Sequence, residues 1–181
     1  QKNQTSSPQD NRRKEIQHEA HMISTAGKEE GISWPKSHLT SYNNLVNHYL
    51  KLKNILVDDQ KDEVNMEKIL DAIDAIDGSD FSKSDHLKWM SLRTKLIKNG
   101  KNILNAERID EQRSHFIELS EAMIDLVKTF NPPETLFVQY CPMANSNQGA
   151  FWLSKKEEIM NPYYGDQMLK CGEVREEINM Q

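Results

Sequence analysis

Between Tyr42 and Phe130 the large apolar residues recur at three- and four-residue steps, and the run ends at the breaker Asn131-Pro132-Pro133. That spacing places them on single stripes of successive α-helices. Tyr42, Leu45, Val46, Tyr49, Leu50 and Leu56 predict a first helix from about Ser37 to Val57. Val64, Ile69, Leu70, Ile73 and Ile76 predict a second, closed by Gly78. The stretch SDFSKSD then supplies N-cap candidates for a third, lined by Trp89, Leu92 and Leu96 with Met90 and Ile97 beside them. Gly100 and Asn105 are expected to weaken its end. Ile109, Phe116, Leu119, Met123, Leu126, Val127 and Phe130 mark a fourth. The two prolines forbid its continuation, since proline lacks the N–H donor and constrains the residue before it.

Four amphipathic helices with short polar connections are expected to form an antiparallel four-helix bundle, so the fold class is mainly α. The stripes carry no inward Glu plus Glu-x-x-His set, which removes the ligands of a carboxylate-bridged di-iron centre. Asp71, Asp74 and Asp77 alternate with the apolar stripe and read as a solvated face.

The flanks differ. Residues 1–33 are polar and poor in large apolar side chains, and are expected to act as a tail or tether. His18, His21 and Met22 within them read as solvated side chains. The bundle occupies 34–133. From 134 to 181 the pattern becomes loop-rich and mixed. TLFVQY at 135–140 reads as a strand, GAFWLS at 149–154 as a second, and EVREEI as a closing one. A small α/β appendage packed on the bundle is the expectation.

The appendage holds both cysteines of the chain, Cys141 and Cys171. Cys141 stands two residues from Met143, across Pro142, and Met168 stands three from Cys171. In an extended or turned backbone the first pair points to one side, and on a helical turn so does the second. If the patches meet, they offer two thiolates and two thioethers. Such donors favour copper(I), and by the same argument silver(I); zinc seldom takes thioether, and calcium and magnesium want oxygen. Two other readings stand beside this one. The cysteines can close a disulfide, which would stabilise the appendage by roughly 3–4 kcal/mol through chain entropy. Alternatively they remain unlinked, with the methionines filling gaps in a core.

Composition excludes other classes. With 23 basic and 28 acidic residues the formal net charge is −5, which offers no field for gripping nucleic acid. No apolar run approaches the roughly 20 residues needed to span a bilayer. There is no C-x-x-C, nucleophile elbow or Gly-rich phosphate loop, so the chain is expected not to be an enzyme. His115 reads as a residue at the edge of the fourth stripe. Two cysteines leave the compartment open.

The segment from Val138 to Ile178 resembles the closing part of a bacterial cell-envelope family labelled as a domain of unknown function. The likeness is carried by Tyr140-Cys141-Pro142-Met143-Ala144, by Trp152-Leu153-Ser154, by Ile159, by Asn161-Pro162-Tyr163, and by Gly165, Met168-Leu169 and Cys171-Gly172. NHYLKLKNILVDD at 47–59 and IDEQRSHFIELSEAM at 109–123 resemble its helical part. Members of that family occur as exported proteins or lipoproteins, and related segments are attached to CusB-like membrane-fusion subunits of heavy-metal efflux pumps. The resemblance therefore implies a periplasmic or envelope setting, a lipid anchor upstream of Gln1, and efflux or copper-delivery proteins as partners. It also implies copper(I) as the bound metal, held by Cys141, Met143, Met168 and Cys171. Tyr140, Trp152 and Tyr163 are the candidates to surround those sulfurs. The alternative is an envelope interaction module stapled by a Cys141–Cys171 disulfide.

Overall fold

Helix α1, Leu39–Val57, buries the predicted stripe of Tyr42, Leu45, Val46, Tyr49, Leu50 and Leu56, together with Leu52 and Lys53. These coordinates are a computed structural model that describes residues 32–62 and 64–180. His18, His21 and Met22 lie outside the described residues. Ile32, assigned to the tail from sequence, is tied to the body: its N–H donates to the Thr129 carbonyl at 2.9 Å, and its carbonyl accepts from Asn131 N–H at 3.1 Å.

Helix α2 spans Val64–Asp74 and buries Met66, Ile69, Ala72 and Ile73. Val64, expected on the stripe, is exposed at the first turn, and Met66 fills the inward position instead. Gly78 lies beyond the helix with φ +75°, and its carbonyl contacts His86 Nδ1 at 3.0 Å. A side chain at Gly78 would collide with that imidazole.

Helix α3, Lys83–Asn105, starts where Ser82 Oγ accepts from Asp85 N–H at 3.2 Å, an N-cap that satisfies one orphan donor. It buries Trp89, Leu92, Leu96 and Ile103. The helix continues through Gly100 and ends at Asn105. An added Cβ there would lie 2.8 Å from Met66 Cε and 3.0 Å from a Leu70 methyl, so the glycine admits the side chains of α2. Helix α4, Ile109–Thr129, opens where the Glu111 carboxylate accepts from the N–H groups of Glu107 and Arg108. It closes at Phe130, immediately before the Asn-Pro-Pro breaker.

Each helix packs on the next in sequence, and α1 also meets α4. At one end Trp34 stacks on Tyr42 at 4.3 Å and meets Phe130, Phe81 and Trp89 between 4.8 and 5.6 Å. Offset and edge contacts of this kind add attraction beyond area burial.

The C-terminal part forms a three-stranded antiparallel sheet in the order β2-β1-β3: β1 Leu136–Cys141, β2 Ala150–Ser154 and β3 Glu173–Ile178. The protein is thus mainly helical with a small sheet, and β2 packs on α4. Two polar anchors fasten the sheet segment to the helices. Tyr49 Oη on α1 lies 2.8 Å from Ser120 Oγ on α4 and accepts from Leu153 N–H on β2 at 3.1 Å. Arg113 on α4 donates to the carbonyls of Leu56 (2.7 Å) and Pro162 (2.9 Å) and to Asp59 Oδ1 (2.5 Å).

Candidate functional site

Cys141 ends the central strand β1, fully buried, with Ala150 opposite it. The chain then reverses through Asn145, Ser146 and Asn147, all at left-handed φ of 52° to 66°, and Gly149 at φ +85°. Consecutive left-handed non-glycine residues cost free energy. The turn is held by a Gly149 N–H bond to the Ala144 carbonyl at 2.9 Å.

Cys171 reaches Cys141 from the other side of β1. Tyr140 pairs with Glu173, the last step of the β1–β3 ladder, and Cys171 lies two residues before that partner. Gly172 has φ +144°, and a Cβ there would stand 2.8 Å from the Tyr140 carbonyl oxygen and 3.0 Å from the Trp152 ring. Only glycine allows this approach. Asn161, fully buried, fixes the loop: its Nδ2 donates to the Cys171 carbonyl at 2.9 Å, its Oδ1 accepts from Tyr163 N–H at 2.8 Å, and its own N–H donates to the Leu169 carbonyl at 2.9 Å.

The outcome is a thiol pair, Cys141 Sγ to Cys171 Sγ, at 3.0 Å. Both cysteines are free. A disulfide would need about 2.05 Å. Two thiolates on one metal with bonds near 2.3 Å stand roughly 3.7 Å apart or more. Closing the pair to a disulfide takes a movement of about 1 Å, and opening it around a shared metal takes about 0.7 Å or more. Both sulfurs are soft donors, the kind that a soft monovalent cation takes. The Cys171 thiol is pushed above its ordinary range, first by its hydrogen bond to Cys141, then by burial and the nearby Cys141 charge; the Met143 backbone amide opposes the shift. A metal binding the Cys171 thiolate must displace a proton held more tightly than usual.

Trp152 is fully buried beside Gly172, and Tyr163 meets its ring edge-on at 5.8 Å. Burial holds the Tyr163 phenol well above its ordinary value, with Cys141 among the groups it feels. Trp152 thus lies against the glycine that follows Cys171, with Tyr163 against Trp152. Tyr140 alternates to the other face of β1. Its ring contacts Phe151 at 4.5 Å, with the Arg175 guanidinium 4.7 Å above it, and only its carbonyl approaches Gly172. Met143 and Met168 stay 43% and 38% exposed, Met143 in the turn that follows Cys141 and Met168 three residues before Cys171. The Met143 carbonyl accepts from Tyr164 Oη at 2.5 Å, which ties the two loops together.

Residues 45–135 match the family described as a protein of unknown function (DUF3347). The chain belongs to that family. No curated protein and no solved structure matches it. The family stretch runs from within α1 to the residue before β1, so both cysteines lie beyond it. Tyr49 and Arg113, which hold the sulfur segment in place, lie inside it.

Among the described residues no group of three or more His, Cys, Asp or Glu side chains is placed to hold a metal, and no helix is long and apolar enough to cross a membrane. A metal at the thiol pair would need thioether, backbone or solvent donors to complete its shell. Asn161 and Gly172 were not anticipated as holders of Cys171. Asn161 reads as a turn residue before proline, and its reach of ten residues to Cys171 depends on the folded loop.

Proposed function

We propose that the protein binds copper(I), and silver(I) by the same chemistry, as a cargo metal between Cys141 and Cys171. Met143 and Met168 supply neutral thioethers from the half-exposed rim. One observation carries this reading: two thiols thirty residues apart in sequence stand within 3.0 Å at the end of a strand. Soft sulfur donors favour monovalent copper over zinc and over hard cations. Exposed methionines beside a buried thiol suit capture and release, because thioether carries no proton to displace. In this reading the four helices form an antiparallel bundle that serves as a rigid platform. The resemblance of the C-terminal segment supports a role as chaperone or buffer in heavy-metal efflux or delivery in the bacterial envelope, beside CusB-like proteins and with a lipid anchor upstream of Gln1. No catalytic step is assigned to the protein.

Competition with a copper(I) chelator under anaerobic, reducing conditions tests the proposal. Reduced protein is expected to take up one equivalent, and Cys141→Ser or Cys171→Ser to abolish uptake. Met143→Leu and Met168→Leu are expected to weaken it with the fold intact. No competition by the reduced protein would end this reading.

A second reading is an envelope interaction module stapled by a Cys141–Cys171 disulfide. The same 3.0 Å separation favours it, since a movement of about 1 Å closes the bond. It predicts no titratable thiol in protein purified and denatured without reductant. Two thiols found there would exclude it.

A further inference from the structure

Lys53 lies on the apolar stripe of α1 between Leu50 and Leu56, and only 5% of it is exposed. Buried lysines are rare unless paired. Among the described residues no hydrogen bond or ion pair engages its ammonium. It borders a cavity of about 510 Å³ between α1 and the segment that follows β2.

The cavity has the charge balance of an anion site. Lys51, Lys53, Lys155 and Lys156 line it, against Asp58 and Glu158. Glu158 is engaged by Lys170 at 2.5 Å, and Lys155 by Glu134 at 2.6 Å. Lys51, Lys53 and Lys156 therefore face Asp58 alone, in a chain whose net charge is −5. Asn54 and Ser154 add hydrogen-bonding groups, and Leu50, Val57 and Met160 add apolar wall. The far side is preformed. Gln139, fully buried, donates through Nε2 to the carbonyls of Lys156, Glu157 and Glu158 at 2.8 to 3.3 Å and fixes that loop. Its size falls within the range of small-molecule sites.

We infer that this cleft binds a small organic anion, an oxyanion headgroup on a short apolar body, with Lys53 as the inner cation and Lys156 at the rim. Burial pulls the Lys53 ammonium down to about 8, with Lys156 adding to the shift and Asp58 opposing it. An anion beside it would offset that cost of burial.

The test is amide chemical-shift titration of the full chain with inorganic phosphate and, separately, with hexanoate, against chloride at equal ionic strength. Saturable shifts at Lys53, Asn54 and Ser154 are expected with hexanoate. Shifts with phosphate as well would show that the headgroup alone is recognised; shifts with hexanoate only would show that the apolar wall is required. Both results support the site. Lys53→Met is expected to weaken binding by about tenfold or more, the value of a charge-assisted hydrogen bond. Lys156→Gln changes only an exposed residue and is expected to weaken it less, which keeps the test valid if Lys53→Met folds poorly. The inference is overturned if neither probe gives saturable shifts, if chloride reproduces them, or if both variants bind as the parent does.

Discussion

Cys141 and Cys171 sit 3.0 Å apart, sulfur to sulfur, yet differ in access: Cys141 is fully buried and Cys171 is half-buried. The thiol that first meets a reagent is therefore the one whose proton is held by its partner. With iodoacetamide, Cys171 is expected to react first and Cys141 only on unfolding. The rate at Cys171 should keep rising above pH 9, where an ordinary thiol levels off, because its thiolate forms later than usual. Cys141→Ala removes the largest cause of that shift and should move the rate profile to lower pH. A profile unmoved by Cys141→Ala would show that Cys141 does not hold the proton.

Gly172→Ala tests the approach that makes the pair. The new Cβ meets the Tyr140 carbonyl oxygen at 2.8 Å, in a backbone region side chains avoid. The expected cost is about 1–3 kcal/mol of stability. Disulfide formation under a mild oxidant should slow at the same time. Oxidation at the parent rate would mean the cysteines meet without Gly172.

The part of this arrangement visible in the sequence follows from periodicity. Tyr42, Leu45, Tyr49 and Leu56 mark α1 because burial on a helix repeats every three or four residues, and Pro132-Pro133 marks its partner's end because proline ends helices anywhere. Thr135 to Tyr140 reads as a strand from its residue types, and β1 runs one residue later at each end. Periodicity fails where the decision is tertiary. Val64 faces out and Met66 in, where Gly100 leaves room for the Met66 methyl. β1 stops at Cys141, and Met143 follows in the turn beyond it, so their burial differs. Met168 ends a single 3-10 turn, so a shared helical face extends no further toward Cys171. Lys53 carried a usable signal: a lysine three residues after Leu50 and three before Leu56 falls on the stripe.

Tyr49→Phe tests the joint between helices and sheet. Loss of the hydroxyl leaves the Leu153 N–H without its acceptor and Ser120 Oγ without its neighbour, in a buried place. The expected cost is about 1–3 kcal/mol, read as a lower urea midpoint at unchanged slope. A midpoint equal to that of the parent would assign the joint to packing alone.

Lys53→Met has a pH signature. Folding lowers the Lys53 value from 10.5 to about 8, so the unfolded chain binds more protons between those values. Stability from this group therefore rises as pH climbs from about 8 to 10.5. The methionine variant should be the more stable at pH 7, by an order of 1–3 kcal/mol, and should lose that advantage by pH 10.5. An advantage that does not change with pH would place the cost in packing rather than charge.

Arg113 grips Leu56, Asp59 and Pro162 with one guanidinium, and Asp59 in turn accepts from Asp166 N–H at 3.0 Å. The recognisable family stretch stops at residue 135, but this clasp crosses that limit. A fragment cut at that boundary would take the Pro162 carbonyl from the Arg113 guanidinium and the Asp166 N–H from the Asp59 carboxylate, and the sulfur segment moved to another scaffold would lose its hinge pin. Heredity and mechanics thus divide this chain at different places.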